Sequence, residues 1–228
     1  MSKKLLESLV GELLKKLDEL NLTENTIVIF FSDNGGLRQA YGGYTGKREI
    51  VSTNAPLRDE KGTLYEGGIR EPLIVRWPSV IKSGSICNEP VTSVDFYPTF
   101  LKILGVKGDS KQILDGENIL PLLMQTGTVK RDAIYWHYPH YHHSRPAGAI
   151  REGDYKLIEF FDDGRLELYN LKRDIGEKNN LAETMPEKAA ELRKKLAKWR
   201  QSVGAKMPTP NQDYDPARAN EWKPRPRR

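Results

Sequence analysis

Asp33 and Asn34 stand side by side at the end of an apolar run, TIVIFF, and are followed by Gly35 and Gly36. A carboxylate next to a carboxamide offers hard oxygen atoms, the ligand type that Ca²⁺ or Mg²⁺ prefers. The same four residues also make an ordinary Asp-Asn-Gly turn, and local pattern alone leaves both readings open. Lys61 lies in a polar, Gly-flanked stretch, where a solvated lysine is the default. Four histidines, His137, His140, His142 and His143, alternate with aromatics. Their spacing lacks the second ligand group of a structural zinc site. What remains is substrate-pocket lining at His137 and His140, or plain strand and surface positions. Cys87 is the single cysteine, so no intramolecular disulfide framework exists.

Elements must position these groups. Residues 26–31 show no polar alternation, which predicts a strand buried on both faces of a parallel α/β sheet. In such sheets ligands gather beyond the carboxyl ends of the strands. Leu5, Leu6, Leu9, Leu13, Leu14, Leu17 and Leu20 give one apolar helical face just upstream. Residues 35–68 are rich in glycine and polar groups and read as a long ligand-side loop. LIVRW, bounded by Pro72 and Pro78, is a second apolar run. Residues 93–104 predict a helix with Ser93 as N-cap and Gly105 as its stop. Beyond Gly116, residues 133–138, 148–150, 155–161 and 166–169 form short, partly alternating runs, and Asp163-Gly164 is a hairpin turn. They predict a small antiparallel sheet with one face on a core. A final helix runs from Met185-Pro186 to about residue 203, with Leu192, Leu196 and Trp199 on its packing side.

Composition narrows the partners. No run of ~18 apolar residues occurs, so no membrane-spanning helix is expected. The first twenty residues are amphipathic and charged rather than an export signal. The net charge is +5, and from Ala217 onward five basic residues face only Glu221, so nearly all of the excess sits in a Pro-containing tail. No aromatic-interleaved basic patch accompanies it, which argues against nucleic-acid binding.

With these pieces placed, residues 14–199 resemble the C-terminal half of a sulfatase of the alkaline-phosphatase superfamily. TIVIFFSDNGG is similar to that family's strand and metal-binding turn. KGTLYEGGIREP, residues 61–72, resembles its second signature, and WHYPHY, residues 136–141, a stretch common in bacterial members. YNLKRDIGEKNNL, residues 169–181, resembles the closing strand and turn, usually D-P-x-E-x-x-N-L, with Ile175-Gly176 in place of the common Pro-x. The resemblance implies hydrolysis of a sulfate ester by a formylglycine made in a C/S-x-P/A-x-R signature, with Ca²⁺ and cationic side chains on the sulfate oxygens. Carried over, Asp33 and Asn34 match two calcium ligands and Lys61 the lysine that contacts sulfate.

The departures are as informative. The earlier Asp pair, the formylglycine signature and the first catalytic Lys and His are expected upstream of Met1. Cys87 is followed by Asn-Glu-Pro-Val, and Ser144-Arg-Pro-Ala-Gly lacks the closing Arg, so neither supplies the nucleophile. The expectation is half a calcium site, no formylglycine, and a chain inactive alone. The expected fold is α/β: part of an alkaline-phosphatase-like mixed sheet with flanking helices (1–125), then a small antiparallel sheet packed on a C-terminal helix (126–204), then a Pro-rich basic tail (205–228). The substrate implied is a sulfated small molecule or glycan. Two alternatives stay open: a self-associating or partner-binding module completed by the missing half, and a phosphate-ester hydrolase of the same superfamily. Family members are usually exported, which leaves localisation open here.

Overall fold

The computed structural model describes residues 3–38, 50, 52–142 and 144–218. His143 and the basic residues from 219 onward lie outside the described residues. The chain divides into two compact units, Met1–Asp33 with Pro72–Arg131, and Asn34–Glu71 with Asp132–Arg228. The chain therefore leaves the first unit just after Asp33 and returns to it at Pro72.

In the first unit, the leucine periodicity forms α1, Lys3–Glu19. The apolar runs form β1, Val28–Phe31, and β2, Leu73–Arg76. They pair antiparallel, Val28 opposite Arg76 and Phe31 opposite Leu73. The pairing is compatible with the expected mixed sheet, but the expectation of a strand buried on both faces is corrected. Phe30 and Ile74 face each other in register and are 36% and 61% exposed. The unbroken apolar run hid an alternation of cover: Phe31, on the other side, packs edge-on to Phe96 at 5.2 Å.

The third helix in chain order, α3, is Phe96–Leu104, closed by Gly105 at φ 64°. A 3₁₀ turn, Ser93–Asp95, leads into it, and Thr92, one residue before Ser93, caps that turn. The fully buried Asp95 carboxylate accepts the backbone N–H of Thr92 (2.7 Å) and of Glu117 (2.9 Å), and pairs with Arg131 (2.6 Å). Ser93 is passed over because Thr92 and Asp95, three residues apart, satisfy each other's amides as a capping box. A short turn, α4, Leu120–Leu123, buries Ile119 and Leu122.

The second unit is built on β3, Ile134–Tyr138, β4, Ala147–Glu152, β5, Tyr155–Phe160, and β6, Leu166–Asn170. They form an antiparallel meander in sequence order. Gly164 holds φ 70° at the hairpin after β5, where the Asp-Gly pair predicts it. The expected one-faced sheet is in fact covered on both faces. Ile150, Leu157 and Leu168 pack on α5, Pro186–Ser202, through Ala189, Leu192 and Leu196. Ala147, Ala149, Ile158, Phe160 and Tyr169 point the other way, onto Leu64 and Tyr65. That second cover includes a short helical turn, α2, Glu66–Ile69. Of the expected long loop, residues 39–49 and 51 lie outside the described residues, while Leu64 and Tyr65 are part of a layer of the structure, beside the small alanines of β4.

Leu196 is fully buried, whereas Leu13 is half exposed. Leu196→Ala should cost about 2–5 kcal/mol and Leu13→Ala under about 0.5 kcal/mol in urea unfolding.

Candidate functional site

Residues 54–71 are held by polar anchors that reach through the apolar layer. Lys156 stands on β5 among Leu157, Ile158 and Phe160, fully buried. Its Nζ lies 2.8 Å from Glu66 Oε1 and 2.7 Å from Glu177 Oε1, the second an ion pair without hydrogen-bond alignment. Glu177 Oε2 accepts the backbone N–H of Glu66 at 2.7 Å. One lysine between two buried carboxylates ties α2, β5 and the turn after β6 into one knot. Burial opposes ionisation of Glu66, yet Lys156, helped by Arg151 and Arg70, holds its carboxyl below the usual range. Burial wins at Glu177, whose carboxyl is pushed up despite Lys156.

A second anchor sits beside it. Tyr65 and Tyr169 both donate their hydroxyls to Glu167 (2.8 and 2.7 Å). Burial, then that carboxylate, pushes both phenols above their ordinary range. Arg58 lies over the Tyr65 ring at 3.8 Å and donates to the Tyr169 hydroxyl and to Glu177 O. A cleft of about 590 Å³ opens beside Arg58, walled in part by Pro56, Arg38 and Lys178; Lys61, His137 and His140 do not line it.

Between the anchors the backbone carries Lys61 outward. Lys61 is exposed, while Glu60 and residues 63–68 around it are buried. Its own N–H donates to Gly36 O at 3.4 Å, Gly35 N–H donates to Gly68 O at 3.0 Å, and Arg38 N–H to Glu60 Oε2 at 2.5 Å. The turn after Asp33-Asn34 is therefore stitched to the lysine-bearing segment. Gly35 is required by space: a Cβ there would lie 1.8 Å from Gly67 O. Gly67 in turn faces the carbonyl oxygens of Arg58 and Asp59, and a Cβ on it would lie 2.4 Å from each. These glycines serve backbone-to-backbone approach, a different use from the sharp turn their pairing suggests.

The sequence-predicted residues separate accordingly. Asn34, half buried, shares a unit with Lys61, and the Asn34–Gly36 turn meets the Lys61 backbone. Asp33 is the exposed residue preceding it. His137 alternates with Trp136 and Tyr138, which pack toward Leu64 and Tyr65, so it points to the opposite face. There its Nε2 meets Lys206 O at 2.8 Å and its ring lies 5.4 Å from Phe161. The structure does not bring His137 to Lys61. His140 is exposed past the end of β3, edge-on to Tyr138. Among the described residues no group of three or more His, Cys, Asp or Glu gathers in metal-binding geometry. As donors, Asp33 and Asn34 fit a hard cation, as two of the ~6–8 oxygens it takes. Sequence reasoning missed Lys156, whose one signal was a lysine inside an apolar strand, and Asn54, which carried none.

Two protein families match this chain. Residues 59–202 match "N-sulphoglucosamine sulphohydrolase, C-terminal", and residues 5–106 match "Sulfatase". A sulfatase of Formosa agariphila is 38% identical over 220 residues, covering 86% of this chain and 38% of that protein. The N-acetylglucosamine-6-O-sulfatase of Bacteroides thetaiotaomicron is 34% identical over 75% of this chain and 29% of its own length. The chain thus spans less than two fifths of either curated relative. Among solved structures, BT4656 in complex with its substrate D-glucosamine-2-N,6-O-disulfate superposes with TM-score 0.66 at 33% identity, over 84% of this chain and 37% of that one. Ps i-CgsB in complex with k-i-k-neocarrahexaose gives 0.70 at 29% identity, over 83% and 40%. The fold is α/β and alkaline-phosphatase-like, as in these neighbours.

Lys156→Ala strands two buried carboxylates and should lower stability by about 3–5 kcal/mol, whereas the triple change Lys156→Met, Glu66→Gln, Glu177→Gln should cost far less. The pH dependence has a defined sign. Glu66, with its pKa lowered from 4.5, contributes stability above that value and loses it as pH falls. Glu177, raised, contributes in the opposite sense, present at low pH and lost as pH rises through its folded value. Glu177→Gln removes that offset, so urea titrations should show a steeper acid-side loss in the variant than in the unsubstituted chain.

Proposed function

The chain belongs to the sulfatase family, and from that premise we propose that it supplies the later part of a site hydrolysing sulfate monoesters. The observation that carries the reading is the seam between Gly36 and Lys61, which ties the backbone of an exposed lysine to the turn beginning at Asn34. Lys61 donates from a backbone fixed on both sides, so its charge meets the oxygens of a bound sulfate, where negative charge accumulates in the transition state. Asp33 and Asn34 would hold a calcium ion by their carboxylate and carboxamide oxygens. Such an ion would supply fixed positive charge beside the sulfate group.

These roles need partners that the 228 residues do not provide. No C/S-x-P/A-x-R sequence occurs among them, so the formylglycine nucleophile of the family is missing and the chain by itself turns over no sulfate ester. Two calcium ligands are short of a full shell, which makes metal affinity weak. A sulfated sugar is the substrate class we favour, supported by relatives named for N-acetylglucosamine-6-O-sulfate and glucosamine disulfate. We keep His140 as the histidine to contact such a sugar, a reading supported by its exposure beside Tyr138. A second reading, an association module, is favoured by one observation: Phe30 and Ile74 form an exposed apolar pair on the two-stranded ribbon.

Titration of the purified chain with sodium sulfate should shift the Lys61 resonances, and Lys61→Ala should abolish the binding. 4-Nitrophenyl sulfate should not be turned over; turnover lost in Asp33→Ala would overturn the inactivity. Calorimetry should find calcium affinity in the millimolar range or weaker, and a micromolar constant would refute the half-site.

A further inference from the structure

Asn54 is a half-buried residue to which neither charge nor periodicity draws notice, yet its amide nitrogen faces three backbone carbonyls. Nδ2 lies 2.7 Å from Gly36 O, 3.0 Å from Asp59 O and 3.2 Å from Gly67 O. All three neighbours are acceptors, so the nitrogen and not the oxygen must face them, and its two hydrogens are shared among them. The carbonyls belong to three different places: the turn after Asp33-Asn34, the residue two before Lys61, and the glycine pair that closes the lysine segment. Gly36 O is also the acceptor of the Lys61 N–H. One side chain thus grips both sides of the seam.

The grip is built to be close. A Cβ on Gly36 would sit 2.5 Å from Asn54 Oδ1, so the glycine is what lets the amide reach the carbonyl. Three carbonyl oxygens converging on one point repel one another unless a donor lies between them. Aspartate, nearly isosteric, would place a carboxylate against three partial negative charges.

We propose that Asn54 is a positioning residue, which sets the spacing between the Asn34–Gly36 turn and Lys61 and so the direction in which the lysine meets an anion. The anion part rests on the reading of Lys61 given above; the spacing part does not. Both parts are open to test in the purified chain by amide-resolved NMR. In Asn54→Ala, hydrogen exchange at Gly35 and Lys61 should accelerate at least about tenfold while β5 amides change little, the signature of local rather than global opening. Asn54→Asp should accelerate them further, and Asn54→Ser, which keeps one donor and is the mildest change, should accelerate them least. The sulfate-induced shift at Lys61 should shrink in the same order. Unchanged exchange at Gly35 and Lys61, or an equal acceleration throughout the sheet, would overturn the proposal. A Lys61 indifferent to sulfate in the unsubstituted chain would overturn the anion reading alone, because the exchange rates decide the spacing by themselves.

Discussion

Lys156 is buried between Glu66 and Glu177, and the arrangement of the second unit follows from that constraint. A lone ammonium in an apolar layer is expensive to desolvate, and so are two carboxylates; here each is offset by its partners, with Arg70 adding to the support of Glu66. The three residues come from positions 66, 156 and 177, so satisfying the charge means bringing three distant stretches of chain to one point. Leu64, Tyr65 and Ile69 join the second cover of the sheet, and Glu66 beside them finds its countercharge in Lys156. Glu167, with its two tyrosine donors and Arg58 above them, fixes the same segment a turn away. A segment pinned twice has little freedom left between the pins.

That rigidity matters for Lys61. Lysine is a point charge on a flexible stem, a poor device for aiming charge unless the backbone beneath it is immobile. Here the stem rises between buried Glu60 and the buried residues 63–68, from a backbone whose amide is tied to Gly36. Electrostatic catalysis depends on groups that need not reorganise when charge develops. In the role proposed for it, the exposed lysine on a fixed base would meet that requirement. The interlocked glycines at 35 and 67 are the structural condition, since any side chain at either would force the two backbones apart.

What the sequence determined by itself is considerable: the leucine helix, the four-stranded meander with its Asp-Gly hairpin, the C-terminal helix with Leu192 and Leu196 inward, and the family, through motifs whose order survives in one dimension. These are local or periodic properties, and periodicity is written along the chain. It also pointed to Glu66 as a residue that pins its loop rather than one that does chemistry, and to Glu177 only as a letter of a motif. Tertiary structure alone decided that these two share Lys156, that Asn54 closes the seam beside Lys61, that the sheet has two covers, and that His137 faces away from the lysine segment. Each of these depends on which residues from distant positions meet, or on which side of a strand is covered. An unbroken apolar run such as residues 26–31 cannot report that, because burial is a property of the neighbours a strand finds and not of its own side chains.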